Sequence, residues 1–279
     1  SMKRKCSLNK IIVSFIYLML VIQVTAAQEL FKNEELTISK LEDKTWVVET
    51  NDLTTMYILE GDNQAMLIDT GTKCKSLDKI VREITQKPLT VVLTHNHRDH
   101  AGNIHYFEQV YMHPSDTTVA VNIQFEGEYK WMADGDVFDL GGRKIEVYLM
   151  PGHTPGSVVF VDKSINAAFT GDAFGSGQVW LQLRPHVPMS EYYASCVRME
   201  KIMNEHNISK LYVGHYPHVK RPMDLSYLID MKTLAKEISE GNFSEAKDYP
   251  NMGLDISCEN PKIAANGQSM IVFDPENIN

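Results

Sequence analysis

Through the first third of this chain, hydrophobic and polar positions alternate in short runs, and a period of two predicts strands. Leu36 to Lys40, Thr45 to Glu49 and Thr55 to Leu59 carry β-branched and aromatic residues, and the Gly61-Asp62-Asn63 turn leads into a fourth strand at Ala65 to Ile68. The period then changes. Ser76 to Ile84 reads as a helix capped by Ser76, Val91 to Leu93 as a buried strand, Gly102 to Phe107 as a short helix and Gln109 to Met112 as a strand, while 114 to 135 reads as irregular or partly helical. The second half repeats the plan. Asp136 to Leu140, Lys144 to Met150, Ser157 to Val161 and Ala167 to Phe169 are predicted strands. A helix capped by Ser190 runs to about Asn204, with Tyr192, Cys196, Met199 and Met203 at spacings of three and four that mark a core-facing stripe. Leu211 to Val213 is a further strand and Leu225 to Ile238 a further helix. Strands first and a helix after, done twice, predicts an α/β chain of two similar halves, packed sheet against sheet with helices outside.

The opening segment departs from this plan. Lys3, Arg4 and Lys5 precede the apolar run Ile11 to Ile22, and small residues close at Ala26 and Ala27, the pattern of a secretory signal peptide over 1–27. Ser1, ahead of Met2, reads as a vector-derived addition. At about 1.5 Å per residue the apolar run is short for a bilayer core of roughly 30 Å, which disfavours an uncleaved anchor. The expected mature protein is therefore secreted or periplasmic, has no membrane segment and comprises one domain over 28–279. N-terminal sequencing of protein from its native host should find Ala27 or Gln28 first, and an intact Met2 would overturn this.

Composition limits the partners. With 43% hydrophobic and 23% charged residues the chain can bury a sizeable globular core. Its formal charge of −9 becomes −13 when Lys3, Arg4, Lys5 and Lys10 leave with the signal and no acidic residue leaves with them. The mean field then repels polyanions, so nucleic acid is disfavoured and a small molecule is the expected substrate. No oligomeric state can be read from the sequence. Cys74, Cys196 and Cys258 remain after cleavage, which permits at most one disulfide and names no pair.

Four potential metal ligands fall within six positions at His95-Asn96-His97-Arg98-Asp99-His100, directly after the apolar run that ends at Leu93. Residues two apart on an extended or tightly turned backbone point the same way, so His95 and His97 can close on one ion while the bend carries Asp99 and His100 toward another. Three further ligands come after predicted strand ends, each directly after a glycine: His153 in Pro151-Gly152-His153-Thr154-Pro155-Gly156-Ser157, Asp172 in Thr170-Gly171-Asp172, and His215 in Gly214-His215. Seven imidazole and carboxylate ligands suit two metals sharing one carboxylate, and a set without thiolate suits hydrolytic zinc, manganese or iron. His105, His113, His186 and His206 match no motif; His218, three residues past His215, is a candidate substrate contact, as are Trp180, Gln182 and Arg184 after the Asp172 loop and Tyr106 and Phe107 after the first ligand loop.

In these ordered motifs, with Asp69-Thr70-Gly71 upstream, the chain resembles the metallo-β-lactamase-fold hydrolases, and the glyoxalase II-like members in particular. The resemblance implies a four-layer αβ/βα sandwich of two mixed sheets with helices outside and a metal cleft at one edge. It also implies that His95, His97 and His153 hold the first of two zinc ions, that Asp99, His100 and His215 hold the second, that Asp172 bridges them, and that Asp69 supports the ligand loop. The implied reaction is hydrolysis by a hydroxide held between the metals, with Asp99 orienting it and carrying a proton to the leaving group. The bridging Asp172 favours a thioester, ester or lactone over a β-lactam, because the β-lactamases of this fold lack a bridging aspartate there; Gly175 stands where the acyl-homoserine lactonases place a tyrosine. The alternatives are a β-lactamase and an iron-dependent redox enzyme. Against a di-iron flavoprotein, His97 replaces that group's glutamate, and the 252 residues left when 27 leave 279 have no room for a flavin domain.

Overall fold

The computed structural model describes residues 28–119 and 123–279; the signal-peptide reading of 1–27 lies outside the described residues. An eight-stranded mixed sheet runs in chain order from Glu29–Lys32 to Glu128–Trp131. Its first five strands pair antiparallel, and Leu89–Val92, Gln109–Met112 and Glu128–Trp131 each add parallel to the strand before. Alternation along these strands sorts their side chains to two sides. Tyr57, Leu59 and Ile68 meet Val147, Phe160 and Phe169 of a second sheet, while Met56, Ile58 and Leu67 pack outward on the helix Leu77–Arg82.

The second sheet orders its five strands as Lys210–Val213, Ala167–Gly171, Val158–Asp162, Lys144–Leu149 and Val137–Asp139. Its far face is covered by the helices Met189–Glu205 and Leu225–Ser239, whose Tyr192, Cys196, Met199 and Met231 share one buried cluster with Val159, Val161 and Leu211. Helix, sheet, sheet, helix is the four-layer sandwich the sequence predicts. The buried Arg143 guanidinium ties the two sheets: it donates to Asp162 Oδ2 at 2.6 Å, to the Lys44 carbonyl at 2.6 Å and to Thr45 Oγ1 at 2.8 Å, so its charge is paired and its fork filled.

A third sheet stands beyond the two predicted. Gln178–Trp180 pairs parallel with Ser269–Phe273, which continues antiparallel into Lys262–Asn266 and Lys247–Asp248. Other local expectations are corrected. Glu128–Trp131 is a strand within the stretch read as irregular, and the short helix expected over Gly102 to Phe107 is a 3-10 turn at Ile104–Tyr106, preceded by an unexpected helix, Arg98–Ala101. Ser190 does not cap its helix: Pro188 holds the cap position, and the amides of Met189 and Ser190 donate to the carbonyls of Asn277 and Ile278. Ser76 does precede its helix, but with a left-handed backbone and no side-chain capping bond. Cys74, Cys196 and Cys258 are free and buried, so no disulfide forms among the described residues.

Candidate metal centre

All seven sequence-predicted ligands gather at one edge of the sandwich, because each lies just past the C-terminal end of a strand. The strand Leu89–Val92 runs into His95 and the turn at His97, and the short helix Arg98–Ala101 then carries Asp99 and His100. His153, Asp172 and His215 come after Lys144–Leu149, Ala167–Gly171 and Lys210–Val213 in the neighbouring sheet. Two of the glycines are sterically required. Gly171 has a φ of 50° and lies against Thr94, and a Cβ on Gly214 would run into the Asp172 carboxylate.

His95, His97 and His153 form one group and Asp99, His100, Asp172 and His215 another; one ligand atom from each member lies within 4.8 Å of those of the rest of its group. Asp172 stands between the groups, with Oδ2 3.1 Å from His215 Nε2 and 3.8 Å from His153 Nε2, and Oδ1 3.4 Å from His100 Nε2. The outward ring nitrogens are held in place. His153 Nδ1 is 2.7 Å from the Trp180 carbonyl and His215 Nδ1 is 2.9 Å from the Leu53 carbonyl. A carbonyl only accepts, so both Nδ1 atoms carry a proton and both Nε2 atoms face inward, each offering a lone pair once it carries no proton of its own. His100 Nδ1 is likewise 2.8 Å from Asp69 Oδ2, and Asp69 also accepts from the Thr94 amide and hydroxyl. The inward atoms His95 Nε2, His100 Nε2 and Asp172 Oδ1 are buried without a hydrogen-bond partner. Three such orphans, one in the first group and two in the second, are costly unless ions satisfy them, and nitrogen and carboxylate donors fit a divalent transition metal.

Electrostatics divides the two groups. Burial, reinforced by neighbouring imidazoles, pushes His95 and His97 well below the usual histidine range, and burial also lowers His153. Burial opposes the charge on His100 and His215, but the carboxylates around them prevail, Asp172 foremost, and hold His100 well above the ordinary value and His215 at about 9. Asp172 is in turn kept well below the carboxylate range, its burial outweighed by His215 and His100. The first group is thus ready to ligate at neutral pH, whereas the second must expel protons. Zinc titrated into metal-free protein should release more protons at pH 7 than near pH 10, and the second site should tighten as pH rises toward about 9. Proton counts in weakly buffered titrations check this, and equal release at both pH values would refute it. The stability sign is opposite: in metal-free protein the raised His215 stabilises the fold fully below an unfolded imidazole pKa of about 6.5, and that contribution is lost as pH climbs through about 9.

Sequence reasoning missed Asp116. This fully buried carboxylate accepts from the Asn96 amide at 2.8 Å, the Gly156 amide at 2.5 Å and Thr154 Oγ1 at 3.0 Å, so it joins the loop bearing His95 and His97 to the loop bearing His153. Burial raises its pKa to about 6 against these donors. Of the candidate substrate contacts, Trp180 and His218 line a cleft of about 630 Å³ together with Asp99, Asp172 and His215. Tyr106 and Phe107 do not; they line a separate surface depression with His105 and Glu126, because the helix after the ligand loop turns them away. Gln182 is buried and Arg184 donates to the Asp255 carbonyl, outside the cleft lining. His113, His186 and His206 take part in local contacts: His113 accepts from the Ser115 amide, His186 lies near the Gln182 carbonyl and His206 near Tyr148.

Residues 50–215 match the sequence model of the Metallo-beta-lactamase superfamily. The human acyl-coenzyme A thioesterase MBLAC2 is 26% identical over 212 residues, which cover 60% of this chain and 75% of that protein. A hydroxyacylglutathione hydrolase from Francisella philomiragia is 26% identical over 159 residues, covering 57% and 62%. Among solved structures, a metallo-beta-lactamase from Pontibacter korlensis superposes with a TM-score of 0.58 at 19% identity, covering 72% of this chain and 99% of that one, a likeness of fold.

Proposed function

This chain belongs to the metallo-beta-lactamase superfamily and is a metal-dependent hydrolase, and on that premise we propose an exported dinuclear zinc enzyme that cleaves thioesters, esters or lactones. In this reading residues 28–279 form one catalytic domain, His95, His97 and His153 hold the first zinc, Asp99, His100 and His215 the second, and Asp172 both. The observation that carries it is the position of Asp172, whose two oxygens face histidines of both groups. Two bound zinc ions supply an activated water at neutral pH and a Lewis acid for the substrate carbonyl.

The chain's own residues do the rest. Asp69, Thr94, the Trp180 carbonyl and the Leu53 carbonyl hold the ligands in orientation, so little reorganisation accompanies reaction. Asp99 is the half-exposed carboxylate of the site, with Oδ2 3.6 Å from Nε2 of both His100 and His215, and it faces the cleft. It can take a proton from the attacking water and return it to the departing sulfur or oxygen. The water oxygen joins the carbonyl carbon, the carbon–sulfur or carbon–oxygen bond breaks with its electron pair on the heteroatom, and the proton passed by Asp99 neutralises it. The names of the similar proteins, a thioesterase and a hydroxyacylglutathione hydrolase, support the carbonyl class.

The test compares kcat/KM on a thioester, a lactone and a cephalosporin, with elemental analysis of the loaded enzyme. Two zincs per chain and a preference for the first two substrates are expected. A cephalosporin value near 10⁵ M⁻¹s⁻¹, about the scale of a dedicated enzyme, with the others far lower would sink the substrate assignment. One metal at full activity would sink the dinuclear one.

A further inference from the structure

The cleft has two unlike walls. One carries His97, Asp99, His153, Asp172 and His215; the other carries the apolar side chains of Trp180, Leu183, Leu254, Ile256 and Met270. The third sheet builds this second wall. Along Gln178–Trp180 and Ser269–Phe273, alternation sends Val179, Ile271 and Phe273 into the core beneath and leaves Gln178, Trp180 and Met270 facing the cleft. The segment 254–258 then lies beside 182–184, where the Arg184 amide donates to the Ile256 carbonyl and the Cys258 amide to the Gln182 carbonyl, extending the wall with Leu183, Leu254 and Ile256. Leu254 and Met270 remain 38% and 36% exposed, which for large apolar side chains beside a polar centre leaves surface for a ligand to cover. Leu254, Ile256 and Met270 also lie beyond the residues that match the family, so the match itself says nothing about them.

We propose that this wall binds the acyl chain of the substrate, so that the enzyme prefers thioesters or esters of apolar, medium-to-long straight-chain acids over acetyl-sized ones. The inference rests on the proposed hydrolase function and adds the substrate's acyl half to it. Geometry favours an acyl chain over a separate partner, because the wall and the ligands share one cleft. A carbonyl at the metal wall can therefore extend its hydrocarbon along Trp180, Leu183, Ile256 and Met270 without leaving it. Each methylene transferred from water to such a surface tightens binding by roughly four-fold, and a run of several contacts sums to selectivity of two or more orders of magnitude. Trp180 links the two walls directly: its ring faces the cleft while its carbonyl accepts from His153 Nδ1.

Straight-chain carboxylates of four to twelve carbons, which resemble the product and cannot be hydrolysed, separate this proposal from the hydrolase function itself. Their Kd values on the purified enzyme, measured by calorimetry, should fall roughly four-fold per added methylene until the wall is covered. Leu254→Gln and Met270→Gln, both at solvent-reaching positions, should flatten that slope, with a loss that grows with chain length while thermal melting stays at the wild-type temperature. Affinity independent of chain length, or a slope unchanged in both variants, would overturn the acyl wall even if the enzyme hydrolyses thioesters. A steep slope in an enzyme inert to every ester and thioester would leave the wall standing and defeat the hydrolase substrate class instead.

Discussion

Asp172→Ala should cut turnover by at least about 100-fold and, in the dinuclear centre proposed above, bring the metal content from two per chain toward one. The bound depends on rank: replacing a residue that merely supports a metal ligand already costs about 10–100-fold, and Asp172 reaches both groups directly. Loss should fall on the group containing His100 and His215, since those two imidazoles owe their raised pKa values chiefly to this carboxylate once burial is set against it. One readout needs no turnover. In metal-free Asp172→Ala protein, His215 should titrate well below its wild-type pKa of about 9, a shift visible by NMR of the imidazole protons. Asp172→Asn, which keeps one acceptor oxygen without the charge, should fall between the two. Full retention of two metals with a rate within ten-fold of wild type would show that the carboxylate does not bridge.

Asp116→Ala should destabilise the fold by about 3 kcal/mol and loosen the first metal site without touching a ligand. The main-chain amides of Asn96 and Gly156 would be left buried without an acceptor, at about 1–3 kcal/mol each. For a chain of this size that amounts to a melting temperature lower by about 6 °C. A purely structural role would stop there. Because Asn96 sits between His95 and His97, and Thr154 and Gly156 flank the turn bearing His153, the clamp also sets how far apart two parts of one metal site stand. Zinc affinity of the first site should therefore drop more than about ten-fold, with Asp116→Asn recovering part of it through its remaining carbonyl oxygen. Unchanged affinity in a destabilised variant would reduce Asp116 to a packing residue.

The contrast between Asp172 and Asp116 separates the legible part of the sequence from the hidden part. Every ligand sits just after a strand in a short motif, so local sequence carries both the chemistry and the turn that presents it. Asp116 carries no such mark, because its partners are 20 to 40 residues away and exist only once the two loops meet. The third sheet is hidden for the same reason. Gln178–Trp180 is three residues long and becomes a strand by pairing with Ser269–Phe273, far along the chain. Ser190 misleads because its helix finds carbonyl partners at Asn277 and Ile278 instead of using a side-chain cap. Tyr106 misleads because nearness in sequence to a ligand loop ignores the direction that a short helix imposes on the residues beyond it.

The pairing of Gln178–Trp180 with Ser269–Phe273 also makes one end of the ligand cluster depend on a distant part of the chain. The first metal site takes its supporting carbonyl from Trp180, which belongs to a strand whose partner is made some ninety residues later. A chain cut before residue 269 would keep all seven candidate ligands yet lack the partner strand that holds the Trp180 carbonyl against His153.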